Sequence, residues 1–151
     1  MPTIETKHLG WMEYTPDALL TFPSGLPGFD RFRAFIFLRK PAAEPLVFMQ
    51  SLDDRALCFI LLPILVVDAN YKLEMTRDEL EELGLPLDRQ PLIGQDIFCG
   101  ALLCAGTGAP PTANLMSPIV INLSNRVGIQ AIQSASGYST AHPLVLESAT
   151  C

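Results

Sequence analysis

Thirteen prolines and ten glycines interrupt this 151-residue chain so often that no long stretch of helical periodicity remains. Between these breaks lie short segments in which apolar and polar residues alternate, a pattern typical of β-strands with one buried face. We predict strands over residues 4–7, 11–14, 19–22, 34–38, 46–51, 57–62, 97–103, 119–122 and 127–133. The last two segments flank a short turn, which predicts a β-hairpin. So many short strands indicate a mainly β fold, either a sandwich or a barrel.

One helix is well marked in the sequence. Thr76 and Glu79 have the spacing of a capping box, which signals the start of a helix. Leu80 and Leu83 then share one helical face before Gly84 ends the segment. We expect one or two short helices of this kind. A length of 151 residues with 49% apolar residues also predicts a single domain over residues 1–151.

The chain is acidic, because ten lysines and arginines face sixteen aspartates and glutamates, for a formal net charge of −6. This balance disfavours direct binding of nucleic acid and favours basic proteins as partners. The most acidic segment spans residues 74–88 and contains the candidate residues Glu79, Glu81 and Glu82. It could be the solvated side of a short helix, or a negative patch that steers a cationic protein and repels that protein's RNA.

Nothing in the sequence predicts membrane insertion or export. The N-terminus lacks a charged start followed by an apolar block, and the most apolar run, residues 57–67, is much shorter than the about 20 residues of a membrane helix. We therefore expect a cytoplasmic protein. The four cysteines are expected to be reduced core thiols, since a domain of this size does not need disulfides: Cys58, Cys99, Cys104 and Cys151.

Few residues could carry catalysis. Asp53 and Asp54 could act as general acid and base if one carboxyl group were desolvated while its neighbour stayed ionised. The favoured interpretation is a solvated turn, since aspartate is seldom buried unpaired. A small hydrolase or thiol enzyme that uses Asp53 or Asp54 with His142 and a cysteine is the alternative function. Cys99 and Cys104 would point to opposite faces of a strand, so we expect no metal site.

An ordered series of motifs resembles the flagellar assembly factor FliW family. The strongest is the block Asn114-Leu115-Met116-Ser117-Pro118-Ile119-Val120-Ile121-Asn122. The other motifs keep the order and spacing of that family from about residue 4 to residue 144: Ile4-Glu5-Thr6-Lys7, Leu20-Thr21-Phe22-Pro23-Ser24-Gly25-Leu26-Pro27-Gly28-Phe29, Gln50-Ser51-Leu52-Asp53-Asp54, Gly128-Ile129-Gln130 and Tyr138-Ser139-Thr140-Ala141-His142-Pro143-Leu144.

This resemblance implies a small β-barrel-like domain with no enzymatic activity and no cofactor. It also implies two protein partners, cytoplasmic flagellin and the RNA-binding translational regulator CsrA. In the family's scheme, flagellin occupies the factor until it is exported. The freed factor then binds CsrA away from the RNA groove and relieves repression of flagellin synthesis. Without heptad repeats we expect a monomer. A barrel that binds a small apolar ligand is a further alternative.

The resemblance also suggests residues in or beside partner-binding surfaces: Asp53, Asp54, Phe59, Asn114, Met116 and Pro118. Several have a structural alternative, because Phe59 could belong to the core, Asn114 could bond to backbone in a turn, and Met116 could fill a gap. The chain departs from the family pattern at Arg55, where proline is common. It also departs over residues 62–64 and 105–111, so the contacts there are expected to differ.

Overall fold

The structure is a computed structural model that describes residues 2–7, 9–104, 110–134 and 136–144. It contains two α-helices, α1 Ile64–Val67 and α2 Arg77–Leu83, and single turns of 3-10 helix at Pro16–Ala18 and Pro41–Ala43. The strands in these ranges are β1 Thr3–Thr6, β2 Gly10–Glu13, β3 Leu19–Thr21, β4 Ala34–Arg39, β5 Val47–Ser51, β6 Cys58–Pro63, β7 Ile97–Cys104, β8 Thr112–Asn122, β9 Gly128–Gln130 and β10 His142–Pro143.

The strands form a nearly closed, barrel-like antiparallel sheet. Strands β3 to β8 follow one another as neighbours, and the long strand β8 also pairs with β9 and β10. The amide of Thr21 donates to the carbonyl of Arg126 at 3.0 Å, which brings the end of β3 beside the start of β9. Strands β1 and β2 form a separate hairpin. The predicted mainly β, barrel-like fold with one or two short helices is confirmed.

Successive side chains of β7 and β8 point to opposite faces of the sheet, so the core consists of two clusters, one on each face. Ile119 and Ile121 pack with buried side chains from every strand between β3 and β7, including Phe35 and Leu61. Val120 points the other way and packs with residues of α1, α2 and the connecting segments. Because both faces of β8 are covered over residues 118–121, the sequence there is continuously apolar, whereas a half-exposed strand would alternate. Buried side chains fill the inner face.

The predicted capping box of α2 is confirmed. Thr76 Oγ1 accepts a hydrogen bond from the amide of Glu79 at 3.1 Å, and Glu79 Oε1 accepts one from the amide of Thr76 at 2.9 Å. Leu80 and Leu83 are buried, and the helix ends at Gly84 with a φ of 72°. The side-chain amides of Asn122 and Asn125 both donate to the Leu83 carbonyl, so the hairpin between β8 and β9 caps the end of the helix.

Several boundaries differ from the sequence prediction. Strand β8 begins at Thr112, well before the predicted start at residue 119, and β10 was not predicted at all. The early part of β8 has the sequence pattern of a turn. The side chain of Asn114 accepts hydrogen bonds from the Met116 and Ser117 amides, as in a turn, although the strand continues through this position. The pairing with β7 shifts register between Gly100 and Leu102. The apolar run 57–67 splits into β6 and α1.

The prediction of core cysteines holds for Cys99, which is buried, and is wrong for Cys104, which is exposed at the end of β7. As the last residue of β7, Cys104 belongs to neither of the core clusters that the described residues form. Burial raises the pKa of the Cys99 thiol to about 12, so this thiol stays protonated at neutral pH. Cys58 is partly buried, and Cys151 lies outside the described residues.

Within the described ranges, every helix is too short or too polar to cross a membrane.

Candidate partner-binding surfaces

Asp53 and Asp54 form the turn between β5 and β6, as the favoured interpretation predicts. The amides of both residues donate to Ser51 Oγ at 3.0 Å. Asp53 Oδ2 accepts weak hydrogen bonds from the amides of Arg33 and Ala34, at 3.2 and 3.3 Å. Asp53 is exposed and Asp54 is half-buried. The two carboxylates thus serve as acceptors for backbone amides of the turn and of the start of β4.

A buried glutamine holds this turn from below. Gln50 Nε2 donates to the carbonyls of Ser51, Asp54 and Arg55, at 3.0, 3.4 and 3.2 Å. Its Oε1 atom has no partner among the described residues. Strand β1 lies beside the turn, because the amide of Lys7 donates to the Arg55 carbonyl at 3.0 Å. A cleft of about 500 Å³ opens between them, lined by residues 5–7 and 53–56 of mixed charge.

Phe59 lies half-buried on β6 at the edge of an aromatic group. Its ring centroid is 6.1 Å from that of Phe35 in the core and 5.7 Å from that of Phe29, which is partly exposed. Phe29 is held by the preceding turn, in which Gly25 has a φ of 66°. A Cβ at Gly25 would lie 2.5 Å from the backbone of Asp30, so only glycine fits. Phe59 therefore connects the core to an exposed aromatic side chain.

Asn114, Met116 and Pro118 share one segment of β8, although they are not equally accessible. Asn114 and Met116 are half-buried, whereas Pro118 is buried. The backbone of this segment bonds to the segment after β9: the amide of Gln133 donates to the Met116 carbonyl at 2.7 Å, and the amide of Ala131 donates to the Pro118 carbonyl at 2.9 Å. Pro118 can support a partner surface but cannot offer its side chain to one.

The three glutamates of α2 have three different environments. Glu79 Oε2 accepts a hydrogen bond from the amide of Ile132 at 3.0 Å, in addition to its role in the capping box. Glu82 accepts a hydrogen bond from the hydroxyl of Ser24. Glu81 is exposed, and no described residue donates to it. Of the three, Glu81 is the most available to a partner.

Helix α2 separates two open clefts. One, of about 420 Å³, includes Thr76 and the side chain of Ile132, which is 52% exposed. The other, of about 310 Å³, includes Glu79, Glu82 and Asp30. The amide of Ile132 in the first cleft donates to the carboxylate of Glu79 in the second, so an exposed aliphatic side chain lies close to the acidic cleft. We call this region the α2 surface; it comprises Ser24, Asp30, Glu79, Glu81, Glu82 and Ile132.

Sequence reasoning missed the residues that hold the segment after β9 in place. Gln133 is buried, and its side-chain amide exchanges two hydrogen bonds with the backbone of Glu74, both at 2.8 Å. The rings of Tyr71 and Tyr138 stack at 4.4 Å, and Tyr71 donates to the Leu115 carbonyl at 2.5 Å. Burial raises the pKa of Tyr71, so it stays a donor at neutral pH. These partners lie 44 to 67 positions apart, and no local pattern marks them.

The structure does not assemble the residues of the catalytic alternative. His142 lies on β10 and pairs with Ala113 of β8, whereas Asp53 and Asp54 lie in the turn between β5 and β6. In the part of the chain that is described, no hydrogen bond joins His142 to either aspartate. The same residues contain no group of three or more histidines, cysteines or carboxylates that could hold a metal ion.

The model of the FliW protein family matches residues 3–144. The flagellar assembly factor FliW of Bacillus subtilis strain 168 is 32% identical over 149 residues, which cover 96% of this chain and 98% of that protein. FliW of Alkaliphilus metalliredigens strain QYMF is 30% identical over 145 residues, or 95% of this chain and 86% of that protein.

The fold agrees with a solved member of the same family. The crystal structure of a flagellar assembly factor FliW superposes with a TM-score of 0.82 and 30% identity, covering 97% of this chain and 99% of that chain. The resemblance carried by the sequence motifs is thereby confirmed. Matched over nearly its whole length in both sequence and fold, this chain belongs to the FliW family of flagellar assembly factors.

Proposed function

We propose that this chain is a cytoplasmic flagellar assembly factor that works by binding and without catalysis. It binds flagellin, and when free of flagellin it binds the translational regulator CsrA and relieves repression of flagellin synthesis. The observation that carries this proposal is the family match over residues 3–144, supported by relatives that are flagellar assembly factors along nearly their full length.

The α2 surface is the region best suited to a basic protein. Its carboxylates repel nucleic acid and attract cationic side chains, and the exposed Ile132 offers apolar area beside Glu79. The buried Leu83 and Gln133 hold this surface in place from below. Binding of a partner therefore costs little conformational entropy. We assign Glu79, Glu81 and Glu82 to the contact with CsrA on this basis.

The turn between β5 and β6 and the neighbouring aromatic group form a second surface. Asp53 and Asp54 present carboxylate oxygens there, and Phe59 leads to the exposed ring of Phe29. A helix or strand of flagellin that is disordered before binding could pack its apolar side on such a ring. We assign these residues, with the half-buried Asn114 and Met116 and the supporting Pro118, to partner binding.

Exchange between the two partners needs no chemical step. If flagellin weakens the binding of CsrA by some factor, CsrA must weaken the binding of flagellin by the same factor, because the coupling free energy is shared. The amount of free flagellin then decides how much of the factor is available to CsrA.

Calorimetric titration of the full chain with flagellin, with CsrA and with each in the presence of the other tests this proposal. We expect each protein to bind alone, and saturating flagellin to weaken CsrA binding. Simultaneous binding without mutual weakening would contradict the exchange. Binding of neither protein would contradict the proposed function as a whole.

A further inference from the structure

The outer face of the β1–β2 hairpin combines an exposed tryptophan with two carboxylates. Ile4 and Met12 are partly buried, and the residues that alternate with them point outwards: Thr3, Glu5, Trp11 and Glu13. The side chain of Trp11 is 71% exposed. A single exposed apolar residue does not by itself indicate a binding site. At this position, however, it coincides with an open strand edge and with a suitable arrangement of charge.

Among the described residues, the hydrogen-bonding pattern leaves the outer edge of β2 open. The amide of Tyr14 donates to the Pro2 carbonyl at 3.0 Å, and bonded pairs recur at every second position of an antiparallel ladder. With the register of this hairpin, Ile4 is a bonded partner of Met12, whereas Trp11 lies in a non-bonded pair. The N–H and C=O groups of residues 11 and 13 therefore point away from β1, and no described residue bonds to them.

Two carboxylates beside Trp11 suit a guanidinium group, and the cations Lys7 and Arg55 lie on the Glu5 side of this face. Glu5 lies directly opposite Trp11 in a non-bonded pair, where side chains are closest. Glu13 follows two positions later on the same face, and no described residue donates to its carboxylate. Arg55 already reaches Glu5 Oε2 at 3.1 Å, so this face holds one guanidinium from within the chain. That ion pair is solvent-exposed and can be exchanged at little cost.

We propose that the outer edge of β2 binds an extended, arginine-bearing segment of another protein, which adds to the hairpin as a third strand. Backbone groups of residues 11 and 13 supply the hydrogen bonds of strand addition. Alternate side chains of an added strand lie on one face, so arginines spaced two apart would meet Trp11 and Glu13 together. Tryptophan is the strongest aromatic partner for a cation, and guanidinium pairs well with carboxylate.

This surface is distinct from the α2 surface, and the inference does not depend on the partners proposed above. Trp11 is the only tryptophan of the chain, so its fluorescence reports on this face alone. We would titrate the full chain with a synthetic peptide of alternating arginine and valine, and with a matched peptide in which glutamine replaces arginine. We expect a saturable change in Trp11 emission with the arginine peptide, and at least several-fold weaker binding of the glutamine peptide.

Variants then locate the contact. Glu13→Gln should weaken binding of the arginine peptide about two- to five-fold, the scale of an exposed ion pair, whereas Glu44→Gln in the segment before β5 should not change it. Amide hydrogen exchange should slow at residues 11 and 13 when the peptide is bound, which a purely electrostatic association would not cause.

Three results would overturn the inference. Equal affinity for the arginine and glutamine peptides would show that the charge of the peptide does not contribute to binding. Equal effects of Glu13→Gln and Glu44→Gln on the affinity for the peptide would show that the peptide does not bind beside Glu13. A change of Trp11 emission with protein concentration alone would show that a second copy of the chain occupies this edge. Any of these can occur while the calorimetric test with flagellin and CsrA succeeds, so the two proposals fail separately.

Discussion

The turn between β5 and β6 and the helix α2 are both acidic, yet they use their carboxylates differently. In the turn, Asp54 accepts a hydrogen bond from the nearby Ala56 amide, and Asp53 accepts hydrogen bonds from the Arg33 and Ala34 amides at the start of β4. On α2, Glu79 and Glu82 fasten the helix to distant parts of the chain, while Glu81 stays in solvent. Equal charge therefore does not mean equal availability, since a carboxylate that already accepts hydrogen bonds from within the chain has fewer lone pairs left for a partner than one in solvent.

The largest effect is expected from removing the support beneath α2. Leu83 is fully buried, so Leu83→Ala should lower the free energy of unfolding by about 2–5 kcal/mol through lost burial and a residual cavity. Urea unfolding followed by circular dichroism measures this loss. Leu87 is 41% exposed, and Leu87→Ala is the matched control, with an expected change within about 0.5 kcal/mol. Similar losses in both variants would mean that Leu83 does not anchor the helix.

The support beneath the turn is expected to be weaker. Gln50→Ala removes the donor to three turn carbonyls and should lower the free energy of unfolding by about 1–3 kcal/mol. Amide exchange at Lys7, which bonds to the Arg55 carbonyl, should accelerate in the same variant. The exposed Gln95 provides the control substitution, Gln95→Ala. Unchanged exchange at Lys7 would show that the turn keeps its shape without Gln50.

Loss of the helix cap should have an intermediate effect. Thr76→Ala removes the acceptor for the Glu79 amide and should lower the free energy of unfolding by about 1 kcal/mol. Thr15 precedes the 3-10 turn Pro16–Ala18 but makes no capping bond with its side chain. Thr15→Ala should therefore have almost no effect in the same urea titration. If the two threonines prove equivalent, the capping box contributes nothing measurable.

The smallest effect on stability, and the sharpest test of availability, is expected at Glu81. Glu81→Lys should leave the free energy of unfolding within about 0.5 kcal/mol and slow association with CsrA several-fold at low salt. The difference should shrink at high salt, because exposed charges are screened. Stopped-flow measurement at two salt concentrations, with Glu44→Lys as control, checks this. Identical rates for the two variants would restrict the α2 carboxylates to a structural and solvating role.

Local patterns in the sequence were sufficient for much of the fold. The capping box of Thr76 and Glu79 and the positions of most strands were predicted correctly, because both depend on residues a few positions apart, although β9 ends at Gln130 and not at residue 133. The start of β8 was missed, because Asn114 bonds to backbone as turn residues do while the strand continues around it. Strand β10 was missed because two paired residues produce no periodicity.

The candidate surfaces depended more on long-range contacts. The sequence alone identified the acidic segment and the aspartate turn, but it could not show that Gln133 bonds to Glu74 or that Tyr138 stacks on Tyr71. Nor could it show that Trp11 lies opposite Glu5 on an open edge, since the register of a hairpin has to be known for that.

By itself, the amino-acid sequence determined the strand content, the position of α2 and the FliW family, because each is written in short motifs or in their order along the chain. Only the tertiary structure decided which carboxylates are free to meet a partner. The reason is physical: availability depends on which hydrogen-bond donors surround a side chain, and folding brings those donors from segments far away in the chain.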